Sequence, residues 1–143
     1  MNHHSYGKGS LAKLDTCDRR LRKIAVQALI LSPYDITIVH GWRGKDVQNA
    51  LFASGVSKAK WGQSPHNAVN DEGLPCSVAI DFAPYVTDHI PWDDTHIFAC
   101  IAGVFMTVAQ EMGHSLRWGG DWDNDGSSKD QTLLDWGHLE LWG

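Results

Sequence analysis

The sequence predicts an α+β fold, a small and largely antiparallel sheet packed by helices. Three observations predict it. Two segments carry apolar residues at helical spacing. Several short runs are β-branched or alternate polar with apolar. The predicted strands come late in the chain and close together, which favours antiparallel pairing over a parallel α/β layout. At 143 residues the chain is sized for one domain. A chain of this length can bury about 70% of its unfolded surface, enough for a core without staples.

Residues 1–9 are polar and Gly-rich and read as a loose arm, with residues 10–143 as the folded domain. From Asp18 to Leu31 the apolar positions Leu21, Ile24, Ala25, Ala28 and Leu29 recur at helical spacing, and Ser32-Pro33 stops the helix. Ile36 to Val39 is a β-branched strand. Gly41 turns the chain, and Lys45 to Ala53 reads as a short helix ended by Gly55. Residues 56–76 are punctuated by Gly62, Pro65, Gly73 and Pro75 and read as loop. Cys76 to Phe82 is a second strand. Asp94 or Thr95 can cap a long helix to about Met112, with a stripe of Ile97, Ile101, Val104, Phe105 and Val108 and a closing Gly113. Ser115 to Trp118 is a third strand, 119–130 a polar loop, and His138 to Trp142 a last strand.

The 12 Lys and Arg against 17 Asp and Glu leave a net charge of −5. That excludes a nucleic-acid binder built on a basic footprint and a polybasic membrane-surface protein. No apolar run is long enough to span a membrane, and the polar start has no secretory pattern, so synthesis in a cytoplasm is expected. The three cysteines, Cys17, Cys76 and Cys100, form no C-x-x-C pair and read as reduced, mostly buried thiols. Eight histidines and seven tryptophans are the unusual counts, and imidazole is the commonest metal ligand.

His66, Asp81 and His138 each sit in a loop or near a strand end, and two imidazoles with a carboxylate make a suitable catalytic zinc set. By spacing alone the plainer reading is a set of unrelated surface histidines and a strand-end Asp. Asp135 lies three residues before His138, and a metal-activated water needs such a base that is not itself a ligand. A turn Asp preceding a strand is the plainer reading. His40, just before Gly41-Trp42-Arg43, is a candidate for lining a cleft and binding substrate.

Ser64-Pro65-His66, Ala79-Ile80-Asp81 and Asp135-Trp136-Gly137-His138, in that order, resemble the S-x-H, A-x-D and D-x-x-H signature of the D-alanyl-D-alanine carboxypeptidase and dipeptidase family of zinc peptidases. Leu31 to Asp35, Thr37 to Val39, Gly41 to Arg43 and Asp81 to Tyr85 are more closely similar to the L-alanyl-D-glutamate endopeptidases that tailed phages use as endolysins. The resemblance covers Ser10 to Trp142.

It implies a single-domain zinc peptidase with no separate wall-binding domain, with His66, Asp81 and His138 as zinc ligands and Asp135 as general base. Arg43 matches the arginine that binds substrate or steadies the oxyanion, and Ser64 a residue that orients its loop or binds substrate. The implied substrate is the peptidoglycan stem peptide, cut between L-Ala and D-Glu by a monomer that reaches the wall after release through the inner membrane. No nucleic-acid or membrane partner is expected. A D-alanyl-D-alanine carboxypeptidase or D,D-dipeptidase is the alternative within the same chemistry, and an inactive wall-binding module the alternative outside it.

The chain departs from the signature in two places. His66 and Asp81 are 81 − 66 = 15 positions apart, longer than the family's spacing, with the extra residues around Asn67 to Cys76. A surface insertion adds little closure entropy, so the ligand geometry can survive it. The family's Gly four before the Asp is Ser77. The insertion also brings Asp71 and Glu72 as minor competing carboxylates.

Asp121-Trp122-Asp123-Asn124-Asp125-Gly126 matches the first half of an EF-hand loop, with carboxylates at 1, 3 and 5 and Gly at 6. Thr132 stands where a bidentate Glu belongs, and Asp130 is a possible substitute. Ca²⁺ at Asp121, Asp123 and Asp125 is therefore a second cofactor expectation, beside Zn²⁺, against a polar turn without an ion. Such an ion would order the loop leading to Asp135 and His138. Trp118, Trp122 and Trp136 flank this region as core, rim or substrate walls.

Overall fold

Helix α2 shows how local signals set the frame. It runs Arg19–Leu31, and the Asp18 side chain caps it by accepting from Arg20 N at 2.8 Å. The five apolar residues at helical spacing are all buried. The computed structural model describes residues 4–122 and 135–142. Within them, helix α1 (Lys8–Leu14) precedes α2, strand β1 (Asp35–His40) and helix α3 (Lys45–Ala53) follow, and a short 3₁₀ turn spans Pro65–Asn67. Strand β2 (Ala79–Tyr85), helix α4 (Thr95–Glu111) and strands β3 (Leu116–Trp118) and β4 (His138–Leu141) complete the order. No helix among the described residues is long and apolar enough to cross a membrane.

The four strands form one sheet in the order β1-β2-β4-β3, every neighbouring pair antiparallel. The α+β expectation holds. Helices α2 and α4 pack on each other, and α4 lies against β2 and β3. The core between them is made by Leu21, Ile24, Ile80, Ile101 and Leu139, with Phe82 stacked on Phe105 at 5.6 Å.

Register decides what the sheet presents. Ile38 pairs with Phe82, and an irregularity then makes His40, not Val39, the partner of Asp81. A bulge of this kind re-aims a side chain. On the other side of β2, Asp81 pairs with His138 of β4. His40, Asp81 and His138 thus form a row across three strands.

The structure corrects several expected boundaries. The first nine residues are not all a loose arm: α1 begins at Lys8, and Tyr6 donates its hydroxyl hydrogen to Ala25 O at 2.8 Å. A seven-residue helix leaves no usable periodicity and is held by tertiary contact, here Ser10 Oγ accepting from Ile38 N at 3.0 Å. Strand β2 starts at Ala79 rather than Cys76, because the Ser77 backbone bonds to another segment, its N–H donating to Thr16 O and its carbonyl accepting from Asp18 N. The strand then runs on through Pro84, past the stretch that β4 pairs with. In α4 the fully buried face contains Phe98, Ala102 and Ala109, while Ile97 and Val104 flank it only partly buried. Of the three free thiols only Cys17 is buried, and Cys100 is exposed.

The insertion folds back on itself. Asn70 Oδ1 accepts from Glu72 N and Leu74 N, Gly73 takes φ +79°, and Val69 bridges Pro75. Asp71 and Glu72 are exposed on this turn.

Candidate metal centre

Asp81 is the hub of the site. Its Oδ1 lies 3.2 Å from His66 Nε2 and 3.1 Å from His138 Nδ1. Its Oδ2 lies 3.0 Å from His40 Nδ1 and accepts from Arg43 Nη2 at 2.5 Å. Burial pushes the carboxyl pKa up, but hydrogen bonds with His138, His40 and His66 outweigh it and hold the group well below the ordinary carboxylate range.

The two buried imidazoles are fixed from behind. His66 Nδ1 faces Gly41 O at 2.8 Å, and a carbonyl can only accept, so Nδ1 carries the hydrogen and Nε2 turns to Asp81. The ring is placed by its 3₁₀ turn, where Ser64 Oγ accepts from His66 N at 3.1 Å and Asn67 completes a capping box. His138 Nε2 faces Glu140 Oε1 at 3.1 Å, so Nε2 donates and Nδ1 turns to Asp81. In the neutral form both rings therefore aim a lone pair at one carboxylate oxygen. That arrangement needs positive charge in the middle. Burial works against charging His138, yet the contacts with Asp81 and Glu140 prevail and push its pKa up to about 9.

The ligand atoms of His66, Asp81 and His138 all lie within 4.8 Å of one another. They are the His–Asp–His metal-binding group of the described residues; Asp71 and Glu72 take no part in it. Two nitrogens and one carboxylate oxygen, with the rings held by a carbonyl and a carboxylate behind them, fit a divalent ion such as zinc.

Asp135 enters beside this group. Its N–H donates to Gly119 O at 2.9 Å and its carbonyl accepts from His138 N at 3.1 Å, which turns the segment into β4. Gly137 is required here, because a Cβ would collide with Phe82 O. The Asp135 side chain opens to the cleft. Partial desolvation, then the negative charge of Asp81, raises its pKa against the pull of His138, His66 and Arg43. A base with a raised pKa holds a transferred proton better.

The metal group and Asp135 line one open cavity of about 660 Å³. Val39, Phe82, Trp92, Phe98 and Trp136 give it an apolar wall, and Gly55 to Ala59 form part of the rim.

The structure brings His66, Asp81, His138, Asp135, Arg43, His40 and Ser64 to this cavity. Two of them are engaged differently from expectation. Arg43 spends one donor on Asp81 Oδ2, and Ser64 spends its hydroxyl on the turn that carries His66. Asp121 is buried, with its N–H donating to Trp118 O at 2.9 Å. Asp123, Asp125, Asp130 and Thr132 lie outside the described residues.

Sequence reasoning missed Glu140, Gln48 and Asn67. Glu140 stands two residues beyond His138 on one strand, hence on the same face, and that spacing was the available signal. Gln48 and Asn67 form a buried amide pair at 3.2 Å that ties α3 to the His66 turn, and Asn67 Nδ2 also donates to Arg43 O. No motif marks them.

An antiparallel sheet that sets two imidazoles and a carboxylate in a cleft, with a free carboxylate beside them, is the layout of a metal-dependent hydrolase. Comparison with known proteins narrows the class. Residues 2–142 match the profile of the phage L-alanyl-D-glutamate peptidase family, and the chain belongs to that family. It is 38% identical over 139 residues to the L-alanyl-D-glutamate peptidase of Escherichia phage T5, covering 95% of this chain and 96% of that one. Its fold is similar to the crystal structure of the Serratia marcescens L-Ala D-Glu endopeptidase ChiX, with TM-score 0.77, 22% identity and coverage of 98% and 92% of the two chains.

Proposed function

We propose that this chain is a zinc endopeptidase that hydrolyses the L-alanyl-D-glutamate bond of the peptidoglycan stem peptide, as an endolysin. The observation that carries the reading is the convergence of His66 Nε2 and His138 Nδ1 on one oxygen of Asp81, in a chain of this family. A zinc ion held by these three residues would polarise the scissile carbonyl and bring the pKa of a water to about 7.

Asp135 takes a proton from the attacking water and returns it to the leaving amine. The new C–O bond forms first and the C–N bond then breaks, and the products are an alanyl carboxylate and a glutamyl ammonium group, which takes up both protons of the water. Arg43 orients Asp81 through Oδ2 and steadies negative charge on the substrate oxygen. Its guanidinium lines the cavity beside the metal group. The apolar wall seats the peptide, and His40 and Ser64 border it.

The same reading has the chain made in the host cytoplasm and acting on the wall after release through the inner membrane. Asp121, Asp123 and Asp125 stand as a calcium loop on their sequence pattern alone. Hydrolysis assayed after chelation, with zinc restored and Ca²⁺ varied, tests that role, and an absence of Ca²⁺ dependence removes it.

Mass spectrometry of a digested muropeptide mixture tests the reaction. Release at L-Ala supports the endopeptidase. Loss of one D-Ala indicates the carboxypeptidase alternative, and undigested muropeptides from zinc-loaded protein indicate an inactive wall-binding module.

A further inference from the structure

Behind His138 lies a second group of side chains that the reaction does not use directly. Glu140 Oε1 accepts from His138 Nε2 at 3.1 Å and from Arg117 Nη2 at 3.3 Å. Arg117 and Glu140 are register partners across β3 and β4. The guanidinium of Arg117 lies against two indoles, 5.3 Å from the Trp122 ring and 5.4 Å from the Trp142 ring. Trp122 also packs on the His138 ring at 5.2 Å. The line from protein surface to metal group is therefore Arg117, Glu140, His138, Asp81.

The geometry points to Glu140 as a positioning residue that fixes the tautomer and ring orientation of His138 for metal binding, with Arg117 as the residue that fixes Glu140. The inference rests on the metal reading above.

The reasoning is one of tautomers. A neutral imidazole has one N–H and one lone pair. A carboxylate accepts only, so Glu140 claims the N–H for Nε2 and leaves the lone pair on Nδ1, the atom that faces Asp81. His66 reaches the same end differently, with Gly41 O claiming the hydrogen of Nδ1. Backbone cannot serve at His138 in this way, because its rear faces the side chain of its own strand neighbour but one. Glu140 could swing away on its own torsions. Arg117 prevents that by holding the same oxygen, and its indole contacts hold Arg117. Removing a partner behind a ligating histidine typically weakens metal binding ten- to a hundredfold.

The test is zinc affinity, measured by competition with a chromophoric chelator, on the full chain and on Glu140→Ala, Glu140→Gln and Arg117→Met. The melting temperature of each stripped protein is measured alongside. Glu140→Ala is expected to weaken zinc about ten- to a hundredfold. Glu140→Gln, which keeps an acceptor oxygen, loses less, and Arg117→Met falls between wild type and Glu140→Ala. Imidazole nitrogen NMR adds a readout that a merely structural role would not move. In the stripped protein above the His138 pKa of about 9, where the ring is neutral, His138 is expected as the Nε2–H form in wild type and as a tautomer mixture in Glu140→Ala, with His66 unchanged. If Glu140→Ala does not fold, Glu140→Gln and Arg117→Met carry the same comparison. Variants that bind zinc as tightly as wild type, with His138 still wholly Nε2–H, overturn the role of Glu140. A wild-type chain that binds no zinc overturns the metal reading itself.

Discussion

His40 and His138 flank Asp81 from opposite sides in one row across β1, β2 and β4, and they engage different oxygens of its carboxylate. Oδ1 belongs to the inner face of the site, with His66 and His138. Oδ2 belongs to the outer face, with His40 and Arg43. One carboxylate thus joins the metal-binding group to the residues that border the cleft.

Substitution at His138 and at Asp135 separates binding from turnover. His138→Ala is expected to lose both zinc and hydrolysis. Asp135→Ala is expected to retain zinc and lose turnover by about 10²- to 10⁴-fold, the usual contribution of a general base. Metal analysis and hydrolysis rate on the same preparations check this. An Asp135→Ala protein that holds zinc and cleaves at the wild-type rate refutes the assignment of the base.

Gly137 is predicted to be irreplaceable for steric reasons. A Cβ there meets Phe82 O, a backbone atom that cannot swing aside. Gly137→Ala should destabilise the fold by about 1–3 kcal/mol, the range for overpacking a tight site. It should also displace His138, whose N–H is held by Asp135 O. Denaturant unfolding measures the first effect, and unchanged stability would show that the strand yields.

Asp18 supplies a pH-dependent contribution to stability. The hydrogen bond from Arg20 lowers its pKa below the ordinary 3.8, the capping contact reinforcing the shift. Because the folded value is depressed, the stabilisation is present above the ordinary carboxylate pKa and is lost as pH falls through the folded value. Asp18→Ala should therefore lower stability by about 1 kcal/mol at neutral pH. The difference from wild type should vanish in strong acid. Unfolding curves at several pH values below neutrality check both parts.

The thiols should react in order of access. Burial pushes the Cys17 pKa up to about 11, whereas Cys100 is exposed. Alkylation of the native protein at mildly alkaline pH, followed by peptide mass mapping, is expected to label Cys100 and spare Cys17. Early labelling of Cys17 would mean that the α1–α2 junction opens.

Much of this architecture was legible in the sequence, for physical reasons that can be named. The periodicity from Leu21 to Leu29 and the cap at Asp18 are local, so α2 and its bounds could be read directly. The same holds for α3 and α4 and for the β-branched core of β1. Helix α1 could not be read, because its stability comes from Tyr6, Ser10 and Leu14 meeting distant residues. The start of β2 was misplaced because the Ser77 backbone pairs with Thr16 and Asp18, far away in sequence.

At the site, His66, Asp81, His138 and Asp135 were named through ordered motifs and meet in the cleft. What pattern alone could not supply was partnership. The bulge that puts His40 beside Asp81, the bond from Arg43 to Oδ2, and the Gln48–Asn67 pair under the His66 turn all depend on chain segments far apart in sequence.

The central claim is tested most directly by titrating Zn²⁺ into chelator-stripped protein while mass spectrometry follows hydrolysis of a defined muropeptide. The prediction is cleavage between L-Ala and D-Glu that rises with added zinc and stops rising at one equivalent per chain. Full hydrolysis by the stripped protein, or a product that has lost only a single D-Ala, would contradict it.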